Sequence, residues 1–223
     1  MEVDHALRTR ISVRAYLDKP VPEALVRDVL DAARWSPSGG NLQPWRVRVV
    51  TQQAQANITA LAARVLAANP DGEADEHPIY PAKLWEPYRT RRFALGEQMY
   101  ALLGIPRSDK PARLQWFARN YEFFGAPVGL FFIIDRGMGR GQWAHLGMFM
   151  QSLCLAAHAR GLGTCMQESW AMVRKSLHQH FGLPDHEIVY CGMALGFPDP
   201  NAEVNTLRSE REPVEAFAAF DGF

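Results

Sequence analysis

The chain has 223 residues, 48% of them hydrophobic, with 24 Lys plus Arg against 24 Asp plus Glu, and this zero net charge leaves no global field to recruit nucleic acid or acidic lipid. That length suits one globular domain over 1–223, and any anion site in it has to be local. The three cysteines, Cys154, Cys165 and Cys191, lack C-x-x-C spacing and read as buried thiols in a reducing compartment; with no targeting segment behind Met1 and no apolar run of membrane-spanning length, the chain reads as cytoplasmic.

A short helix with Asp4 as its predicted cap leads into Arg10-Ile11-Ser12-Val13-Arg14, where apolar and polar residues alternate with the period of an extended strand. Arg10, Ser12 and Arg14 therefore share a face. Two guanidiniums and a hydroxyl on one side form either a phosphate clamp or a solvated edge. After Pro20-Val21-Pro22, Val26, Val29, Leu30 and Ala33 recur at helical spacing and predict a helix over 22–35 with one buried stripe. The helix delivers the turn from Trp35 to Trp45, in which Pro37, Pro44 and the pair Gly39-Gly40 fix an unusual backbone. Ser38, Asn41 and Gln43, with the amides of Gly39 and Gly40, can present donors and acceptors to one planar ligand; the plainer alternative is a loop that reverses the chain.

Residues 46–51 alternate as a strand leaving that turn, and Ile58, Leu61, Ala62, Val65 and Leu66 give a further helical stripe, closed by Asn69-Pro70. From Pro70 to Arg92, Pro78, Pro81 and Pro87 interleave with Tyr80, Trp85 and Tyr88 without periodicity. This is an irregular excursion whose aromatics either pack back on the body or cover a ligand. Helix resumes around 90–103, and 113–124 is an aromatic-rich helical stretch ending at Gly125-Ala126-Pro127. Residues 128–135 form a continuous apolar run, the pattern of a central strand buried on both faces. The following Gly137-Met138-Gly139-Arg140-Gly141-Gln142 stands where a dinucleotide fingerprint would. Position 142 is Gln instead of the third glycine, and no acidic residue ends a following strand at the required separation, so the segment reads as a plain loop.

Residues 142–160 are apolar nearly all round, which predicts a buried core helix stopped by Gly161. Residues 163–169 then run extended ahead of a helix carrying Trp170, Val173, Leu177 and Phe181 on one face, a junction whose backbone amides can point at a ligand. Residues 188–196 read as a second buried strand. The tail from Asn201 begins polar, carries Arg208 and Arg211, and ends on Val214, Phe217, Phe220 and Phe223; it docks on a partner subunit or packs on its own body.

The chain holds no G-x-S-x-G elbow, P-loop or H-E-x-x-H, and His178, His180 and His186 fall among polar surface residues where solvation is the simpler role. Phosphate-competent arginines and an amide-rich planar site, without a nucleophile or metal set, fit an enzyme whose reactivity belongs to a bound cofactor.

Four stretches together carry a resemblance: Arg10-x-Ser12-x-Arg14, the turn from Pro37 to Trp45, Gly161-Leu162-Gly163-Thr164, and Gly192-x-x-x-Gly196. Over nearly its whole length the chain resembles the FMN-dependent nitroreductase family. Asn120-Tyr121-Glu122-Phe123-Phe124-Gly125-Ala126-Pro127 is similar to the nitrobenzoate reductase-like members. The resemblance implies an α+β fold, an α/β/α sandwich around a mixed, mainly antiparallel sheet, and a homodimer that exchanges a C-terminal extension (201–223), with FMN at the interface. It implies that Arg10, Ser12 and Arg14 hold the phosphate and ribityl end, completed by Arg208 or Arg211. It implies further that Pro37, Ser38, Gly39, Asn41 and Gln43 border the flavin from the other subunit, and that Gln167 and Glu168 offer backbone contacts beside the flavin's reactive edge. The implied reaction is ping-pong, NAD(P)H reducing FMN and a nitroaromatic or quinone then taking the electrons. Reductive dehalogenation, enoate reduction, flavin fragmentation or plain FMN binding are alternatives on the same fold.

Overall fold

The two most apolar runs occupy the middle of the sheet. Strands β1 (Arg46–Thr51), β2 (Val128–Asp135), β3 (Gly163–Gln167) and β4 (Glu187–Gly196) are ordered β1-β2-β4-β3, and every pairing is antiparallel. The parallel component of the expected mixed sheet is an isolated bridge between Ser12 and Thr164. These elements come from a computed structural model that describes residues 1–73 and 76–222; residues 74 and 75 of the predicted excursion, and Phe223 of the tail, lie outside the described residues.

Alternation along β2 sorts the core into two layers, as a pleated strand buried on both faces must. Leu130, Phe132 and Ile134 pack with α2 (Glu23–Ala33) and α6 (Arg140–His158), while Phe131 and Ile133 pack with α3 (Gln52–Ala68) and α7 (Arg174–Phe181). The α+β sandwich thus follows from side-chain direction alone. On the second layer Trp170, fully buried, packs against β4 at Gly192, where a Cβ would collide with the indole Cδ1 and Nε1. Any side chain there would have to displace the ring.

Several elements depart from their sequence patterns: residues 10–14 make only the isolated bridge at Ser12, and the helix expected from Trp170 is 3-10 through Val173 before α7 begins. Helix α1 (Val3–Thr9) takes Glu2 at its N-cap position without a side-chain bond, and the predicted cap Asp4 sits inside the first turn, where its charge suits the positive helix end. The helix predicted over 113–124 is α5 (Lys110–Ala118), capped by Asp109, followed by a 3-10 segment from Arg119 to Gly125. Left-handed backbone at Phe123 (φ 51°) and Phe124 (φ 54°) turns both rings into the core. Helix α6 is not buried all round. One stripe, including Leu146, Phe149, Met150 and Leu153, meets the sheet, and Met148 on the other side is 42% exposed, because a helix lying on one face of a sheet has only one side to bury. The excursion ends in α4 (Tyr88–Leu102). Among the described residues no helix is long and apolar enough to cross a membrane.

Candidate active site

The site begins with a strap laid on the start of β3. The Val13 amide donates to the Thr164 carbonyl at 2.9 Å, and a Cβ on Gly163 would meet Val13 Cγ2 at 2.5 Å and Pro198 Cγ at 2.8 Å, so only glycine lets the strap lie this close. Val13 is buried, and alternation turns Arg10, Ser12 and Arg14 the other way. Asn205 then clamps the tail onto the strap: its Oδ1 accepts from the Arg14 amide, and its Nδ2 donates to the Ala15 and Asp199 carbonyls, all at 2.9 Å. Leu207, Arg208, Ser209 and Arg211 are thereby brought opposite Arg10, Ser12 and Arg14 across a cleft of about 490 Å³.

Five arginines and one acid, Asp4, line this cleft. Arg14 donates to the Ser12 carbonyl at 3.2 Å, and Arg208 and Arg211 donate to main-chain carbonyls and Ser209, so carbonyl and hydroxyl oxygens orient these guanidiniums without neutralising them. The Arg10 Nε is buried with no hydrogen-bond partner. A buried donor left unmade costs roughly 1–3 kcal/mol, so a cationic cleft containing one is built to receive an anion.

Arg14, Leu95 and Leu207 also line a second cavity of about 690 Å³, so the cationic cleft and this space adjoin across a common wall. This second space is walled largely by apolar groups, with Tyr100, Trp116, Phe117 and Phe124 among its walls and Met99 and Met150 beside them. The end of β3 supplies Gln167, Glu168 and Ser169. The Gln167 side chain is committed elsewhere, its Nε2 donating to the Asn120 carbonyl at 2.7 Å and its Oε1 accepting from Trp170 at 3.4 Å. What it can offer a ligand is main chain. Glu168 accepts from the Tyr190 hydroxyl at 3.3 Å, and burial holds its carboxyl above the usual carboxylate range in spite of Tyr190 and Arg174, which pull the other way. Burial and the neighbouring Glu168 push the Tyr190 phenol up to about 12. Ser169 Oγ is a second buried polar atom without a partner.

The excursion contributes unevenly. Tyr80 and Arg92 stand on the cavity wall, whereas Trp85 and Tyr88 are 59% and 49% exposed and pack edge-on against each other. The turn after α2 behaves differently again. It is firmly seated: Ser36 Oγ donates to the Ala33 carbonyl at 2.7 Å, the Gln43 amide donates to Ser38 Oγ at 2.9 Å, the Gly39 amide donates to His145 Nδ1 at 3.3 Å, and Trp45 stacks on Phe149 with centroids 4.8 Å apart. Its backbone is left-handed at Gly40, Asn41 and Gln43 (φ 59°, 54° and 49°). Yet Pro37, Ser38, Gly39, Asn41 and Gln43 line neither cavity.

Of the expected site residues, Arg10, Ser12, Arg14, Arg208 and Arg211 therefore meet around the cleft, Gln167 and Glu168 join the adjoining cavity, and the turn stands apart. Sequence patterns missed Asn205, Leu95, Leu207 and Tyr190. A lone Asn in a polar tail or a Leu on an exposed helix carries no local signal; each acquires its role only when distant segments meet.

The model of the nitroreductase family matches residues 7–197. Over 218 residues the chain is 39% identical to the nitrobenzene nitroreductase of Ectopseudomonas oleovorans, covering 98% of this chain and 96% of that protein. It is 38% identical over 222 residues to the 4-nitrobenzoate reductase of Pseudomonas putida, covering 100% and 96%. Among solved structures, the FMN- and NADPH-dependent nitroreductase NfnB of Sphingopyxis sp. strain HMH superposes with a TM-score of 0.96 at 41% identity over the whole of both chains. The FMN-dependent NfnB of Mycobacterium smegmatis, in complex with NADPH, gives 0.91 at 25% identity over 98% and 97%. Matched by the family model from α1 to the end of β4, and nearly end to end by these relatives, the chain belongs to the nitroreductase family.

Proposed function

We propose that this chain is an FMN-dependent oxidoreductase that uses NAD(P)H to reduce nitroaromatic or quinone-like compounds, and that two copies complete each site. The observation that carries this is a pair of adjoining spaces: an arginine-lined cleft with an unpartnered buried N–H shares Arg14, Leu95 and Leu207 with a cavity walled largely by aromatic and apolar side chains. A ligand with an anionic end and a broad planar end fits that shape and polarity, and flavin mononucleotide is such a ligand. NfnB from two organisms is FMN-dependent, and both proteins share this chain's fold.

Arg10, Ser12 and Arg14, with Arg208 and Arg211 opposite, would hold the phosphate and ribityl end, and the main chain of Gln167 and Glu168 would border the ring. The chemistry that bound FMN supplies is reversible uptake and delivery of two electrons. The protein orients the reactants, excludes water with the aromatic and methionine walls, and places the Arg14 cation at the junction where negative charge is best tolerated. With the flavin ring in place, the rest of the cavity would admit one planar partner at a time, so the nucleotide must leave before the oxidant stacks, which gives ping-pong kinetics.

Exposure supports the second copy. Met148 on α6 is 42% exposed, Phe217 and Phe220 in the tail are 72% and 65% exposed, and the seated turn from Pro37 to Gln43 presents its polar groups outward. A partner that covers α6 and the turn, and receives the tail from 201 to 222, removes these apolar faces from water. Pro37, Ser38, Gly39, Asn41 and Gln43 would then border the partner's flavin.

The test is to purify the protein, record its visible spectrum and add NAD(P)H without oxygen. Yellow dimeric protein that bleaches within the mixing time and regains its colour with a nitroaromatic is the expected result. Slow bleaching would make it a flavin-binding protein without turnover. Colourless monomer that takes up no added FMN would overturn the proposal.

A further inference from the structure

Helix α4 carries three arginines in its first two turns, and they are not treated alike. Arg89 pairs with Glu86 at 2.7 Å, and Arg91 with Glu212 at 2.7 Å. Arg113, which stacks on Tyr100 in the same region, pairs with Glu97 at 2.5 Å. Arg92 has no carboxylate partner and donates no hydrogen bond among the described residues; its guanidinium lies 4.4 Å over the Tyr80 ring. Both residues stand on the wall of the 690 Å³ aromatic cavity. Stacking on a ring fixes the plane of a guanidinium while leaving its N–H edge free to donate.

The charged residues of that cavity are Arg14, Arg92 and Glu168. Arg14 also serves the anion cleft, and burial favours the neutral form of the Glu168 carboxyl. Arg92 is thus the uncommitted cation of a space whose remaining walls are mostly rings, thioethers and aliphatic side chains, with Asn120, Gln167 and Ser169 as neutral polar groups. An apolar cavity with one oriented fork at its solvent edge suits a flat molecule bearing one anionic substituent.

Resting on the reading that this cavity holds the flavin ring and the planar substrate stacked beside it, we propose that Arg92, held by Tyr80, is a specificity residue that receives the carboxylate of an anionic nitroaromatic and so favours nitrobenzoate-type over uncharged substrates. The bond to the substituent is charge-assisted but reached from solvent, so its contribution lies below that of a fully buried pair.

The experiment uses flavin-loaded protein and compares kcat/KM for 4-nitrobenzoate and nitrobenzene in the native chain, Arg92→Gln and Arg92→Lys. The expected result is a loss of about 5- to 10-fold on 4-nitrobenzoate in Arg92→Gln, little change on nitrobenzene, partial recovery in Arg92→Lys, and a preference that shrinks as salt is added. Binding is read separately, from the perturbation of the bound-flavin spectrum by benzoate and by benzamide, with benzoate alone weakened in Arg92→Gln. Equal losses on both nitro compounds, or a raised KM for NADPH with the substrate preference unchanged, would overturn the assignment and leave nitroreduction standing. If neither compound is reduced, nitroreduction fails as the function, and the benzoate and benzamide titration still decides whether Arg92 receives a carboxylate.

Discussion

The strap from Arg10 to Arg14 and the turn from Pro37 to Gln43 are both short polar stretches rich in hydrogen-bonding groups, but the fold uses them in opposite ways. The strap is bound by main chain to β3 and by Asn205 to the tail, and its side chains look into a cleft of the same chain. The turn is pinned from below by Ser36, His145 and the stack of Trp45 on Phe149, holds left-handed backbone at Asn41 and Gln43, and presents its groups to open solvent. Non-glycine residues in that conformation cost of order 1 kcal/mol each and persist only where the surroundings enforce them. The difference teaches what one chain completes by itself: the strap's cleft is closed by its own tail, whereas the turn is a rigid surface that its own chain leaves open, as the proposed second copy requires.

The largest effects should fall on the strap. Arg10→Ala removes a buried charged donor, and Arg14→Ala the cation on the wall between the two spaces; each should weaken FMN binding by roughly 1.5–3 kcal/mol, about 10- to 100-fold in dissociation constant. Flavin retained through purification, and titration of the apoprotein, check this, and each variant should sediment as the native protein does. Unchanged flavin content in both variants would break the clamp assignment.

A mixing experiment tests the division between copies. Asn41→Val forces a β-branched residue into φ 54° and should distort the turn, so that this variant and Arg10→Ala are each impaired alone. If every site joins the strap of one copy to the turn of the other, dimers formed from both variants contain one intact site. Random exchange should then restore about one quarter of the native sites. Recovery of flavin and activity on mixing, absent when either variant is exchanged with itself, is the expected outcome; no recovery in dimers proved to be mixed would return the turn to its own chain.

How much of this the sequence discloses depends on whether a residue's role is local. The β2 run, the strap's alternation and the helix over α2 are written in period and hydrophobicity, which physics converts directly into burial and direction. The left-handed pair Phe123 and Phe124 is not, since two aromatic residues predict helix or strand and only the core they fill enforces that backbone. The two sides of α6 were equally opaque, because an apolar helix reads the same whether its outer side is buried in its own core or exposed, as Met148 is. In the site, Arg10 and Arg14 were legible as a pair, whereas Asn205 and Leu95 join them only through tertiary contact.

The smallest effect sharpens the picture on the intrachain side. Burial raises the Glu168 carboxyl above the ordinary value of 4.5, so between that pH and its folded value the native protein binds more protons than the unfolded chain. Stability therefore falls as pH rises through that window, and the penalty is fully present above it. Glu168→Gln removes the charge and keeps an acceptor for the Tyr190 hydroxyl. The apoprotein variant should melt slightly higher than the native chain at pH 7 to 8, with the gain vanishing below about pH 4, where both carry a neutral group. Thermal melts of the two proteins across pH check it. The turn offers a control, since its site residues carry no titrating side chain: Asn41→Val should lower the melting temperature by an amount that does not follow this window. A pH-independent gain in Glu168→Gln would mean that the carboxyl is not disfavoured by burial, and that the cavity beside the strap is wetter than its walls imply.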